Sequence, residues 1–570
     1  MTAEPRAFFA IDLGAATASA ALIGRVAGRW RLLGSLAFPA AIELEPVLAL
    51  LVERVRRADG EIADSVGIGQ GGRGRGRRTG LSLDPSAVGD GPLDLAFAVD
   101  GLGAATDLPR VMAVSAPPGR LAVLAPTERR MALLESAATG AGWSVAAASA
   151  DRSDALAMTS LALDSRVSAV LVGAGVPLGS DERNQLKTLG PLLVAVAARR
   201  PELAIVLAGS AGELAPAIEA VRLEAAGPIG AVLVTEAAGV GPGLGALRAR
   251  LDELRGEPLD GRRAMIQSTA TLSALLRRRV ELVDLGLGGA LRCVADDRAG
   301  SDIGAEVLWS IVAGAGLVSA EPDDGVVDGV LNWLVLPVDR PRLRDRLRDF
   351  WLAPWAEAHG DGAILRLALA RASLSRLVAA TPEFGDLAAP DLLVAAGGVW
   401  AVAPAPAVAM ALVDILRRQG VSQLALDHAR LLGPLGTIED DAERLALMAD
   451  LIDDLLAPLG TAIVPQGLHQ GRAVGRIVLH GLDETVGRDL VGGRVETLDL
   501  PVGQTATAEL EFRDGVLLGG RGKRFAMEVA GGMGGLLVDL RDIPLRLPDR
   551  LDHRRDLLAS WQRSVWNTES

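Results

Sequence analysis

Two apolar runs in this chain end in the same way. Ala7-Phe-Phe-Ala-Ile-Asp-Leu13 runs into Gly14-Ala-Ala-Thr17, and Val280-Glu-Leu-Val-Asp284 runs into Leu285-Gly-Leu-Gly-Gly289. A third run, Asp391-Leu-Leu-Val-Ala-Ala396, ends in Gly397-Gly398. Apolar runs this short, bounded by small residues, read as buried strands. Glycine at a strand end lets backbone N–H groups approach phosphate oxygens where a side chain would clash. An aspartate at the same place cannot ligate phosphate, but it can hold a hydrated Mg2+ that does. Each turn alone is a common α/β feature. Three of them, two acidic and one Gly-Gly, suit a nucleotide gripped between two lobes.

The elements around these turns divide the chain. A length of 570 residues exceeds what one core supports. After the first turn, Ala20–Val26 and Trp30–Ser35 read as strands about Gly28, and Glu45–Ala58 as a helix burying Val47, Leu48, Leu51 and Val55. From Pro109 strands alternate with helices: strands Val111–Val114, Leu121–Leu124, Val145–Ala148, Ala169–Gly173, Ala204–Ala208 and Gly230–Thr235. Helices are predicted at Glu128–Thr139, Ser153–Leu163, Pro191–Arg199, Ala211–Ala225 and Pro242–Arg255, with Pro191 and Pro242 at first helical positions. That rhythm indicates a covered parallel sheet. After the second turn comes a strand at Ala290–Ala295, then a mostly helical stretch through Val307–Val318, Leu343–Ala353 and Ala363–Ala380. Helices Pro404–Gln419 and Ala442–Leu456 follow the third turn. Beyond Pro465 short alternating segments predict a β-rich unit, and Arg550–Trp566 a surface helix.

Composition removes several functions. The net charge of −13 argues against a general polyanion binder, so no nucleic-acid partner is expected. Aromatic residues make up 3% with no Tyr, which leaves no base-stacking platform. The Gly/Arg loop 71–78, with Arg73, Arg75, Arg77 and Arg78, contains no aromatic residue and reads as a solvated, mobile hairpin loop. Only Lys187 and Lys523 are lysines among 58 basic residues, so lysine catalysis has little to draw on. Cys293 is the single cysteine, which excludes disulfide scaffolds and CxxC chemistry. The five histidines show no metal-ligand spacing. No uncharged apolar window is long enough for a membrane span, and the N-terminus has no signal-peptide pattern, so the expected location is cytoplasmic. The sequence leaves oligomeric state, including homo-oligomers, open.

In this order the three turns resemble the phosphate-1, phosphate-2 and adenosine motifs of the actin/sugar kinase/Hsp70-like ATPases. More closely, the chain resembles the MutL/GlmL family linked to glutamate mutase, a family distinct from the mismatch-repair protein of the same name. The residues behind that likeness are Phe9–Thr17, Val283–Gly286, Leu393–Pro404, Gly420–Asp427, Leu431–Gly436 and Gly534–Pro548. The resemblance implies an α/β two-lobe ATPase fold with an inserted parallel α/β domain and a small β-rich C-terminal domain. The expected division is 5–100 for lobe I, 108–255 for the insert, 260–465 for lobe II and 470–550 for the β-rich unit. It also implies ATP and Mg2+ as cofactors. Asp12 and Asp284 would be the metal-holding and catalytic residues, and Gly14, Thr17, Gly286, Gly288, Gly397 and Gly398 the nucleotide contacts. The implied function is reactivation of an adenosylcobalamin-dependent mutase, the expected partner, by releasing damaged cobalamin.

This chain departs from the family pattern at the phosphate turns. Ala15 and Ala16 stand where the resembled family carries a hydroxyl pair, and Ala18-Ser19 where it carries Thr-Lys. Leu287 stands at a Gly position, and no Thr-Thr-Asp follows the second turn. Lost hydroxyl and lysine groups remove phosphate and Mg2+ partners. A pseudo-ATPase scaffold is therefore a second reading, and a small-molecule kinase a third, although no substrate-pocket Asp base can be assigned.

Overall fold

The computed structural model describes residues 6–58, 108–114, 120–165, 167–174, 179–224, 231–235, 242–254, 261–297, 305–385, 387–481, 484–541 and 543–566. The Gly/Arg loop 71–78 lies outside them.

Strands β1 (Ala7–Leu13), β2 (Thr17–Val26) and β3 (Arg29–Pro39) form an antiparallel meander. The β2–β3 turn places Ala27 and Gly28 at φ 51° and 84°, the doubly left-handed geometry that matches strand twist. The helix Leu44–Ala58 covers one face of the sheet with Val47, Leu48, Leu51, Val52 and Val55. Strand β4 (Arg110–Val114) then pairs parallel to β1, with Asp12 opposite Ala113. The sequence placed this strand in the insert from residue 108. Its pairing puts it in the first sheet, because β1 still had an open parallel edge for it to fill.

The insert is a five-stranded parallel sheet, β5 (Arg120–Ala125), β6 (Ser144–Ser149), β7 (Val167–Gly173), β8 (Ala204–Ala208) and β9 (Val232–Thr235), in the order β6-β5-β7-β8-β9. Its central strands are near-continuous Val, Leu, Ile and Ala because helices cover both faces. The helix expected to start at Pro191 instead spans Ser180–Arg199, with Pro191 inside it. Asp181 and Glu182 favour an earlier start, and the Glu182 carboxylate accepts from the Gly179 N–H at 3.0 Å.

The second lobe repeats the first. Strands β10 (Arg279–Leu285), β11 (Ala290–Asp296) and β12 (Glu306–Val312) form a meander, and β13 (Leu392–Ala396) pairs parallel to β10. The order β12-β11-β10-β13 thus copies β3-β2-β1-β4. This duplicated meander-plus-parallel-strand order is the actin-like two-lobe α/β fold. The expected helix from Val307 is β12, since Val307, Ile311 and Val312 complete the meander.

Strands β14 (Gly420–Leu426) and β15 (Ala457–Val464) extend the second sheet. The C-terminal β region then divides. Strands β16 (Ala473–His480), β17 (Val486–Val491), β19 (Thr505–Leu518) and β20 (Gly520–Ala530) form a four-stranded antiparallel sheet. Between them in sequence, β18 (Val495–Leu498), and later β21 (Leu536–Asp539), return to lobe II and complete an eight-stranded sheet. The expected 470–550 unit is therefore woven into lobe II. The final helix, Leu551–Val565, buries Leu558, Trp561 and Val565 against that lobe. Among the described residues no helix is long and apolar enough to cross a membrane.

One face of the first sheet, through Phe8, Ala10, Ala21 and Ile23, packs with Met265 and Leu272 of the helix Gly261–Leu276 and with residues of lobe II. That helix meets the turn Leu432–Gly436 closely: Ser268 Oγ donates to the Leu432 carbonyl at 2.6 Å. A Cβ at Gly436 would collide with the Ala264 carbonyl, so only glycine allows this approach. These contacts bring the three turns together.

Candidate functional site

The two Asp-Leu-Gly turns have the same construction. The Gly14 N–H donates to the Thr17 carbonyl at 3.2 Å, and the Gly286 N–H to the Gly289 carbonyl at 2.9 Å. Asp12 sits on β1 beside β4, and Asp284 on β10 beside β13, in matching positions of the two meanders. The amides of Gly14 and Gly286 close their own turns, so these glycines serve turn geometry. A Cβ on Gly14 would lie 2.6 Å from the Thr17 carbonyl oxygen.

An arginine meets each turn. Arg262, on the first turn of the helix Gly261–Leu276, donates to the Gly289 carbonyl at 3.0 Å and pairs with Asp284 at 3.4 Å. Arg430, just beyond β14, donates to the Thr17 carbonyl at 3.1 Å and to Thr17 Oγ1 at 2.7 Å, and approaches Asp12 at 4.0 Å. Each guanidinium thus takes one carboxylate and the carbonyl that closes the matching turn. All four charged side chains are nearly buried.

Asp427 prepares Arg430. Its carboxylate accepts the Leu431 and Leu432 N–H groups at 2.8 and 3.2 Å, capping the turn Leu432–Gly436. Arg430 itself has φ 53°, a left-handed conformation uncommon for a residue with a side chain. Burial pushes the Asp427 carboxyl up to about 7, against its two backbone donors and with Asp12 adding to the rise. Burial likewise pushes Asp12 up to about 6, opposed by Arg430 and reinforced by Asp284. Oδ1 of Asp12 is buried with no hydrogen-bond partner.

The third turn closes the site. Gly397 has φ 99°, and a Cβ there would strike the Leu285 carbonyl and lie 3.1 Å from Asp284 Oδ1. A Cβ on Gly398 would collide with Nη2 of Arg430 and lie 2.8 Å from Thr17 Oγ1. Trp400 anchors the turn by donating to the Ala396 carbonyl at 3.0 Å.

Together these groups line one cavity of about 120 Å3. Every residue expected from sequence borders it: Asp12, Gly14, Thr17, Asp284, Gly286, Gly288, Gly397 and Gly398. Its other lining residues include the aromatic Phe350 and Trp351, Pro354 and a third arginine, Arg366. The sequence reading missed Arg262 and Arg430. The helix carrying Arg262 has apolar residues at Ala264, Met265 and Leu272, a spacing that could have revealed the helix. Arg430 follows the carboxyl end of a parallel strand, where open α/β sheets place ligands.

Mg2+ is a poor match for this arrangement. The two carboxylates expected to hold it each face a guanidinium.

No family model and no curated protein sequence matches the chain. Solved structures similar to it include a nucleotide-free acetone carboxylase, from work on ATP-dependent acetone carboxylation, at 10% identity over 85% of this chain and 80% of that one, with a TM-score of 0.28. A PilM–PilN type IV pilus biogenesis complex is similar at 11% identity over 78% and 98%, with a TM-score of 0.22. The Ppx/GppA phosphatase of Aquifex aeolicus is similar at 10% identity over 78% and 88%, with a TM-score of 0.17. Likenesses this distant add nothing to the topology described above.

Proposed function

We propose that this chain is an actin-like nucleotide-binding protein that acts on a partner protein. The observation that carries the reading is the convergence of two matched Asp-Leu-Gly turns and the Gly397-Gly398 turn on one cavity between the lobes. Sites of this kind are concave, with a few convergent polar groups on otherwise apolar walls. ATP would place its phosphates by the arginine-bearing turns and its base by the Gly397-Gly398 turn or the Trp351 side. Because the cavity is bounded by both lobes, a ligand there would bias their spacing, which is how such a protein could work on a partner.

The finer reading is a reactivating factor for an adenosylcobalamin-dependent mutase. It rests on the sequence resemblance at Phe9–Thr17, Val283–Gly286, Leu393–Pro404, Gly420–Asp427, Leu431–Gly436 and Gly534–Pro548. The test is to incubate the full chain and ATP with a mutase carrying inactive cobalamin. Cobalamin release that requires both supports the reading, and no release from glutamate mutase or its relatives overturns it.

A scaffold that binds nucleotide without hydrolysing it is favoured by one further observation. The carboxylates that would hold metal or order water are paired with arginines, and Ala15 and Ala16 supply no hydroxyl. Phosphate release at or below the buffer background, with nucleotide bound, supports the scaffold. Sustained turnover supports the ATPase.

A further inference from the structure

A strongly anionic phosphate group in this cleft needs positive charge beside it. A bound divalent cation is one source of that charge, and fixed guanidinium groups are another. Lysine cannot serve here, since neither Lys187 nor Lys523 borders the cavity. The cleft is lined by three arginines instead, Arg262, Arg366 and Arg430, and two of them are built into the turns. Arg262 and Arg430 come from different elements, are nearly buried, and sit at matching positions of the two turns. A Cβ on Gly286 would lie 2.6 Å from Nη2 of Arg262, and a Cβ on Gly398 would collide with Nη2 of Arg430. Glycine at these two positions therefore makes room for the guanidinium groups themselves.

At the two turns the charge is also balanced before any ligand arrives. Asp284 is matched by Arg262, and Asp12 by Arg430, so the pair of carboxylates offers little net field to attract a free dication. The guanidinium fork suits phosphate oxygens and can share its N–H groups between a carboxylate and a phosphate.

Resting on the nucleotide reading above, the geometry points to Arg262 and Arg430 as the phosphate-binding cations of this cleft, standing in for a divalent metal, so that a polyphosphate-bearing ligand binds without Mg2+. Their bonds to Thr17 and Gly289 make them part of both turns, so the same contacts that hold the phosphates also report ligand occupancy to each lobe.

The test is calorimetric titration of the full chain with ATP and, separately, with inorganic tripolyphosphate, each in excess Mg2+ and in excess EDTA. The inference expects affinities in the two buffers to agree within about threefold. It expects Arg430→Gln and Arg262→Gln each to weaken binding by about tenfold or more, the scale of a lost charge-assisted contact. Removing Arg430 leaves Asp12 buried beside an empty position, so Arg430→Lys is included, with the melting temperature of each variant. The lysine variant keeps the charge and should bind between wild type and Arg430→Gln. ATP binding seen only with Mg2+ overturns the inference and leaves the nucleotide reading standing. Tripolyphosphate binding in EDTA without ATP binding supports the arginine assignment and overturns the nucleotide reading. Binding of neither overturns both, and wild-type affinity in the folded arginine variants overturns the inference alone.

Discussion

The Arg430 guanidinium spans the two lobes to reach Thr17, donating to its hydroxyl at 2.7 Å and to its carbonyl at 3.1 Å. Thr17 belongs to the first turn and Arg430 to the end of a lobe II strand, so this contact ties the lobes at the cleft itself. Removing the hydroxyl while keeping the shape should loosen that tie. Thr17→Val is expected to lower unfolding stability by about 1.5–3 kcal/mol, the range for a hydrogen bond to a charged group. Thr17→Ser should stay near wild type. Urea unfolding of the three proteins decides it, and equal midpoints would show that the contact contributes nothing.

The carboxyls of Asp12 and Asp427 predict a pH dependence. Both titrate higher in the folded chain than the ordinary carboxylate value of 3.8, at about 6 and about 7. The folded state therefore holds more protons than the unfolded state across that interval. The stability these two groups confer is fully present at low pH and is lost as pH rises from about 4 through about 7. A tenfold difference in proton affinity between the two states corresponds to about 1.4 kcal/mol. Asp12→Asn should flatten the slope of stability against pH by about one proton in this window. Denaturant titrations at several pH values measure it, and an unchanged slope would contradict the assignment.

Gly397 gives a backbone prediction. Its φ of 99° and the Leu285 carbonyl beside it leave no place for a methyl group. Gly397→Ala should cost about 1–3 kcal/mol from strain in the left-handed region alone. A thermal melt equal to wild type would mean the turn relaxes freely, which the packing of Trp400 beneath it opposes.

A separate prediction concerns lobe II. Asp539 is fully buried and pairs with Arg417 and Arg541, and Arg541 also pairs with Asp414. Burial pushes the Asp539 carboxyl up, and the two arginines more than reverse this, leaving it at about 2. Its contribution is therefore present above the unfolded value and lost as pH falls from about 4 towards 2. Asp539→Asn takes the carboxylate from buried Arg417 and leaves Arg541 with Asp414 alone, and should destabilise by about 3–5 kcal/mol at neutral pH. Chemical denaturation checks the size of the loss.

The fold and the site were legible in the sequence to different degrees. The strand-and-turn pattern around Asp12, Asp284 and Gly397 was readable because buried strands leave short apolar runs that stop at small residues. The third strand of the second meander was not, since Val307–Val312 also suits a helix and only its pairing with β11 decides the matter. The placement of β4, β18 and β21 was hidden for the same reason: local pattern shows a strand but not its neighbour. Among site residues, those on turns announced themselves through glycine. Arg262 and Arg430 did not, because an arginine in a chain this rich in arginine carries no signal until the fold buries it.

Whether the cavity between the lobes takes a nucleotide can be measured directly. The most direct test is calorimetric titration of ATP into the full chain and into Gly398→Val, whose side chain would fill the approach between Arg430 and Thr17. Wild type should show one saturable site with Kd below about 1 mM, a binding free energy stronger than about −4 kcal/mol. The variant should show no binding while its melting temperature shows it folded. Absence of binding by wild type at millimolar ATP, or equal binding by folded Gly398→Val, would contradict the nucleotide reading.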